Sequence, residues 1–333
     1  MMKILYPFSI LYQLVVSFRT LLYKLKILRT QSFDIPIISI GNITLGGTGK
    51  TPMAIWLFNY LQSKKKKPCI ITRGYGRKSN ELIVVDNNSI NYRADEIGDE
   101  PLMMLKNNKN IKIVIYNDKI KAIEHAIDML DIDIIILDDG FQSLYIKKDL
   151  DVIMINAKAP TSEYNLLPVG RGRESIKSLT RADVIIANYG DINTKIADFC
   201  ASNHIKIYPA DCHVQPVDEN KKIIVARDDL RCLAICGIAG PSSFLSTVKE
   251  YKMNIHAKLV FPDHHRYTSN DMNHIYELME TKNCNTIITT WKDYYKINPL
   301  NIKNKKIIIL DMKLNINNQY FLSMINDIIT HET

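Results

Sequence analysis

Ile35-Pro36-Ile37-Ile38-Ser39-Ile40-Gly41-Asn42-Ile43-Thr44-Leu45-Gly46-Gly47-Thr48-Gly49-Lys50-Thr51-Pro52 is the stretch from which the rest of the chain can be read. The apolar run Ile35 to Ile40 predicts a buried parallel strand, since such a strand has helices on both faces. Gly46, Gly47 and Gly49 then make a turn, and Lys50 and Thr51 open the next segment, with Pro52 suited to a first helical turn. Strand, glycine loop, Lys-Thr and helix make a phosphate cradle. Loop N–H groups and the helix N-terminus face the anion, Lys50 reaches the outer phosphates, and the Thr51 hydroxyl can bind Mg²⁺. The expected ATP contacts are therefore Gly46, Gly47, Thr48, Gly49, Lys50 and Thr51. Thr44 stands where the usual pattern has a glycine, so the match is a deviant one. The plainer reading is an ordinary glycine-rich strand–helix turn.

Further along, Ile132 to Leu137 predicts an apolar strand ending in Asp138 and Asp139. In phosphate-loop enzymes such a strand lies beside the loop and its acid holds Mg²⁺. Two adjacent carboxylates there make sense when a cation compensates them; the alternative is a strand-ending Asp-Asp-Gly turn. Gly98-Asp99-Glu100-Pro101 reads two ways. One acid caps a helix whose first turn holds Pro101, or one acid is the base for an acceptor hydroxyl. Phe261-Pro262-Asp263-His264-His265-Arg266-Tyr267 follows a strand and precedes a helix, and two adjacent histidines between Asp and Arg suit a site. Zinc-type His/Cys spacing is missing from the sequence.

The chain has 333 residues, which suggests two domains, and 46% hydrophobic with 23% charged residues describes a globular protein with ample core. A net charge of +8 favours an anionic partner. Cys69, Cys200, Cys212, Cys232, Cys236 and Cys284 form no C-x-x-C pair and read as reduced thiols. Nothing resembles a helix-turn-helix, a zinc module or an aromatic RNA-binding motif, which argues against nucleic acid. Ile4 to Phe18 is nearly all apolar, and Arg19, Lys24, Lys26 and Arg29 follow. This run falls short of the ~20 residues that span a bilayer. Residues 1–30 are expected as an amphipathic helix lying on an anionic membrane surface, the alternative being a helix packed in the core.

Strands are expected over 68–72, 81–85, 111–116, 132–137, 150–156 and 183–188, with helices over 53–63, 101–107 and 119–130. A second alternation begins near 230: strands 232–238, 255–261, 285–290 and 306–310, helices 242–252, 269–282 and 318–330. The expected architecture is α/β, a P-loop NTPase-like core with a mainly parallel sheet over 31–210 and a smaller α/β domain over 211–333, with a linker near 205–230. From the residues alone the function is that of a Mg-dependent phosphate-loop kinase or NTPase with membrane affinity; a nucleotide-driven switch or transport ATPase is the rival class.

As a set, these motifs resemble the lipid A 4′-kinase (tetraacyldisaccharide 4′-kinase) family. The matching stretches are Ser39 to Asn42 with Gly46 to Pro52, Arg73-Gly74-Tyr75-Gly76, Gly98 to Pro101, Asp138-Asp139-Gly140-Phe141-Gln142, Leu166-Leu167-Pro168, Phe261 to Tyr267, and Thr290 to Asp293. The resemblance implies transfer of the ATP γ-phosphate to the 4′-hydroxyl of a tetraacylated glucosamine disaccharide 1-phosphate, a lipid A precursor, at the cytoplasmic face of the bacterial inner membrane. By the same resemblance Lys50 and Thr51 serve ATP and Mg²⁺, Asp138 coordinates the metal and Asp139 supports it. Asp99 is the base, paired with His264, and Tyr75, Gln142 and Arg171 lie near phosphates or disaccharide. Three departures stand out: Ser143 where the family usually has His, Cys236-Gly237-Ile238-Ala239-Gly240-Pro241 where Gly-Ile-Gly-Asn-Pro is common so that the turn has lost its Asn, and Arg171 and Arg173 competing for one arginine's role.

Overall fold

The computed structural model describes residues 2–86, 92–108, 110–157, 159–188, 190, 192, 194–225, 229–297 and 306–330. Its centre is β1 (Ile37–Gly41), every residue of which is buried. β1 runs parallel between β5 (Ile134–Asp138) and β6 (Leu150–Asn156), and the register sets Ile40 beside Asp138. Near-continuous Ile, Val and Leu in these strands fit burial on both faces. Outward on one side lie β2 (Pro68–Thr72), β4 (Ile113–Ile115) and β3 (Ile83–Val85); on the other lie β7 (Val184–Asn188) and β8 (Ile207–Pro209). Among the described residues only β3 runs against its neighbour in this sheet. Helices α2 (Lys50–Ser63), α4 (Asp99–Asn107), α5 (Lys119–Met129) and α6 (Thr194–Ser202) join these strands, with a short α3 (Ala94–Ile97) before α4.

A second sheet has the order β11-β10-β12-β13-β9. Its strands are β9 (Asp211–Val217), β10 (Arg231–Cys236), β11 (Asn254–Val260), β12 (Thr286–Thr290) and β13 (Lys306–Asn315). Helices α7 (Pro241–Glu250), α8 (Ser269–Thr281) and α9 (Trp291–Ile297) connect them. The expected linker near 205–230 instead carries β8 and β9: β8 closes the edge of the first sheet, and β9 pairs antiparallel with β13 in the second. Residues 226–228 of that stretch lie outside the described residues.

The C-terminal helix α10 (Gln319–Thr330) departs from the expected grouping of 211–333. Phe321 and Ile325, one turn apart, are fully buried in the core that covers the first sheet. Phe321 stacks on Trp56 of α2 at 5.9 Å, and Tyr60 donates to Asn326 at 2.9 Å. The sequence shows α10's apolar face but not the surface it covers. Helix α9 packs against α4 and so joins the two sheets on the side that carries the site.

The N-terminal helix α1 (Met2–Lys24) is not packed in a core. Phe8, Ile10, Leu11, Leu14, Val15 and Phe18 are all exposed, Leu14 by 61%. The opposite side of the helix is tied down. Ser9 donates to the Leu166 carbonyl at 2.6 Å, Tyr12 to the Arg173 carbonyl at 2.9 Å, and Arg19 to the Gln142 carbonyl at 2.9 Å.

Candidate active site

The site lies at the carboxyl ends of β1 and β5, where ligands of open α/β sheets bind. The loop after β1 is held by its neighbours: Asn42 Nδ2 donates to Thr48 Oγ1 at 3.1 Å, and Asn188 Nδ2 donates to the Thr48 carbonyl at 2.7 Å. Gly49 has φ +86°, and a Cβ there would meet Asn188 Nδ2 at 2.0 Å, so only glycine fits. This turn lets α2 begin at Lys50, three residues earlier than expected, with no acidic residue in its first turn. Thr44 replaces the usual glycine without strain, because it forms an antiparallel bridge with Gly172 in extended backbone. The 165–174 segment thereby walls the loop. Arg173 and Glu174 N–H groups both reach the Ile43 carbonyl, and Leu45 N–H donates to the Arg171 carbonyl at 2.7 Å.

Asp138 ends β5 and is 3% exposed. Thr72 donates to its Oδ2 at 2.9 Å, while Oδ1 is buried with no hydrogen-bond partner. Burial, with Glu100 and Asp139 nearby, pushes its pKa up to about 6 against the pull of Lys50 and Lys119. Asp139 has φ +48°, which turns its carboxylate toward cations: Arg173 Nη1 is 2.7 Å from Oδ1, and Lys50 Nζ is 3.7 Å from it. Burial acts upward on Asp139 too, but Arg173, Lys50 and Lys119 prevail and hold its pKa down at about 2. Lys119, the first residue of α5, is 1% exposed and donates to the carbonyls of Asp138 and Asp139, each at 2.7 Å. Burial lowers its pKa to about 8. Nothing in the sequence marks Lys119, which reads as an ordinary helix start.

Asp99 begins α4 and is 9% exposed. It accepts from two directions across the join between the sheets. His264 Nδ1 is 3.2 Å from Oδ2, and Lys296 Nζ is 3.2 Å from the same oxygen. Burial works to raise the Asp99 pKa, but the hydrogen bond with His264 and the charges of Lys296 and Lys292 outweigh it and hold the carboxyl below its ordinary value. On the far side of the imidazole, Lys292 Nζ is 3.3 Å from His264 Nε2 and 3.1 Å from Asp263 Oδ1. An ammonium has no lone pair to offer, so Nε2 is the acceptor and the ring proton sits on Nδ1, facing Asp99. His264 itself has φ +60°, a strained backbone for a residue with a Cβ.

The other sequence-selected residues are distributed around this centre. Tyr75 is exposed, and its ring lies 4.7 Å from that of His264. Gln142 is turned inward: its amide donates to the Asn42 carbonyl at 2.9 Å and to Glu174 at 3.1 Å, and Arg181 grips Glu174 with both nitrogens. Arg171 and Arg173 divide the space, Arg171 lying where a Cβ on Gly46 would meet its Nη2 at 2.3 Å, Arg173 on Asp139. Ser143 is buried in the turn after Phe141. His265 faces away, stacked on Phe261 at 4.5 Å with Nε2 3.2 Å from Asp271. Lys119, Lys292 and Lys296 are the residues that sequence reasoning did not select. Lys292 lies inside the Thr290–Asp293 motif, which was the one available signal.

Three comparisons bear on this geometry. Residues 1–330 match the family model described as tetraacyldisaccharide-1-P 4′-kinase. A tetraacyldisaccharide 4′-kinase of Chlorobium limicola is 33% identical over 309 residues, covering 88% of this chain and 86% of that protein. The tetraacyldisaccharide 4′-kinase of Wigglesworthia glossinidia brevipalpis is 33% identical over 292 residues, covering 88% and 76%. Among solved structures, LpxK from Aquifex aeolicus in complex with ATP superposes with a TM-score of 0.75 at 25% identity, covering 98% of this chain and 99% of that one.

Proposed function

The chain belongs to the tetraacyldisaccharide-1-P 4′-kinase family, and from that membership and the geometry above we propose how it performs the reaction. The protein is an ATP-dependent kinase that phosphorylates the 4′-hydroxyl of a tetraacylated glucosamine disaccharide 1-phosphate, the lipid A precursor, and so forms lipid IVA. The observation that carries the mechanism is the meeting of a phosphate loop with acids on one side and an Asp99–His264 pair on the other.

In this reading the N–H groups of Gly46 to Thr51 and the α2 N-terminus hold the ATP phosphates, and Lys50 stabilises charge on the transferring group. Arg173 and Arg171 flank the same loop and suit phosphate oxygens. The buried, unpartnered Oδ1 of Asp138, with Glu100 nearby, calls for a cation. Thr51 and Asp138 would hold Mg²⁺, with Asp139 in support, and the ion would supply neutralisation of phosphate charge. Among the described residues no cluster of three His, Cys, Asp or Glu side chains has metal-binding geometry. That accords with an ion held by one or two carboxylates and substrate phosphates.

On the acceptor side we assign the proton-accepting atom to His264 Nε2 and give Asp99 the work of fixing the ring. The sequence favoured Asp99 as the base. A carboxylate that already accepts from His264 and Lys296 and whose pKa is held down is a poor proton acceptor. The imidazole, with Nδ1–H on Asp99, offers Nε2 once the acceptor hydroxyl displaces Lys292. Tyr75, beside His264, and Gln142, behind the loop, line the substrate side and its supporting wall. The first-sheet and second-sheet units act as two domains that meet over the reacting groups.

We also place α1 on the cytoplasmic face of the bacterial inner membrane. Each large apolar side chain left in water forfeits about 1.5–3 kcal/mol of burial, and α1 displays a row of them. Arg19, Lys24, Lys26 and Arg29 suit anionic head groups. By length and composition α1 would also reach across a bilayer. Its opposite side, however, is bonded to protein through Ser9, Tyr12 and Arg19, which favours a helix lying along the surface. Deleting residues 2–24 should weaken partition to vesicles containing anionic phospholipid and raise KM for the lipid more than for ATP. Unchanged partition would refute this placement.

The metal assignment has its own test. With γ-labelled ATP and the disaccharide 1-phosphate in mixed micelles, label should enter the lipid only with Mg²⁺ present and stop on addition of EDTA. Label transfer undiminished by EDTA would contradict it.

A further inference from the structure

We propose that Lys296 is a positioning residue for phosphoryl transfer, setting the Asp99–His264 pair across the join between the two sheets. This rests on the acceptor-side reading just given. Lys296 lies on α9, and its side chain is 5% exposed. Its ammonium has three partners: it donates to Asp99 Oδ2 at 3.2 Å and to the His265 carbonyl at 3.1 Å, and it forms an ion pair with Asp293 Oδ1 at 3.3 Å.

Each partner explains part of the role. Asp293 is fully buried and rigidly held by Gly237 N–H at 3.0 Å, Tyr267 OH at 3.1 Å and Thr290 Oγ1 at 3.0 Å. It is the anchor in the second sheet's unit. Asp99 belongs to the first sheet's unit and is what Lys296 holds against that anchor. The His265 carbonyl lies one residue beyond His264, the residue with the left-handed backbone. Lys296 thus fixes the Asp99 carboxylate and the main chain next to His264 relative to each other, while Lys292 tends the far ring nitrogen.

Stability alone does not explain such a residue. A buried ion pair is often matched or bettered by packed apolar side chains of similar size, because desolvating the charges offsets their attraction. What an apolar side chain cannot do is specify one geometry between two carboxylates on different units. Backbone strain at His264 fits the same picture, since strained residues persist where the surroundings over-determine them.

The test is a double-mutant cycle of K296Q and K296M with D99A, reading kcat, KM for ATP and the thermal transition. K296Q keeps two donors without the charge and serves if K296M does not fold. Each Lys296 variant should lose about 10²-fold in kcat with KM for ATP unchanged, and the same substitution should cost almost nothing further in the D99A background. Equal losses in both backgrounds would make Lys296 merely structural and overturn the proposal. So would a K296Q enzyme with wild-type kcat while D99A is impaired. If D99A itself keeps wild-type kcat, the acceptor-side reading falls first and the role of Lys296 falls with it.

Discussion

Replacing Lys50 with alanine should lower kcat by several orders of magnitude while the fold survives. The lysine sits at the first turn of α2, at the mouth of a loop held by Asn42 and Asn188, where Gly47 faces open space. In the mechanism proposed above its charge follows the phosphoryl group through transfer, and a preorganised cation there is worth far more than in water. Removing it costs the fold little. Its ion pair with Asp139, at 3.7 Å, is loose, and Asp139 keeps Arg173 at 2.7 Å. Such partly exposed pairs contribute about 0–1 kcal/mol. Near-normal thermal stability with collapsed turnover is the expected pattern. Turnover within about tenfold of wild type would remove the phosphate-loop assignment.

The second large effect concerns Asp99 and His264. Asp99→Ala and His264→Ala should each lower kcat by about 10²-fold or more, in keeping with what a positioned proton acceptor contributes. ATP affinity should stay put, because neither side chain touches the phosphate loop. The double variant should lose far less than the product of the two losses, since a pair once broken cannot be broken again. His265→Ala is the control. Its ring stacks on Phe261 and reaches Asp271, so its loss should show in the thermal transition rather than in kcat. Simple additivity of the Asp99 and His264 losses would return Asp99 to the role of a residue at the start of α4. A damaging His265→Ala beside a silent His264→Ala would mean the wrong histidine was chosen.

What could be read in advance depended on whether the signal was local. Gly46 to Thr51 are contiguous, and their chemistry requires those residue types at that spacing, so the cradle and the buried β1 were legible together. β2 and β6 have the very bounds their apolar runs suggest. The β9 strand was missed because it is an edge strand with alternating exposure, and Asp211, His213 and Gln215 made it look like loop. Helix α9 is a seven-residue aromatic-rich segment too short for a helical period to show. The deepest omissions were lysines. Lys119 bonds carbonyls 19 and 20 residues on, and Lys296 bonds Asp99 from 197 residues away, and a lysine in a helix reads by default as surface. The choice between Arg171 and Arg173 likewise waited for the fold of the 165–174 segment over the loop. Sequence offers Gln142 as a substrate contact but not the bonds its amide nitrogen makes to the Asn42 carbonyl and Glu174, which only the fold shows.

The central claim is that ATP turnover by this chain is phosphoryl transfer to a lipid acceptor rather than hydrolysis coupled to a partner. The most direct measurement follows ADP release and lipid phosphorylation together, with and without the tetraacyl disaccharide 1-phosphate, in the same micelles. The account predicts one 4′-phosphorylated lipid for each ADP and almost no ADP when the acceptor is omitted. ADP released at an undiminished rate without acceptor, or with no phosphate appearing on the lipid, would contradict it.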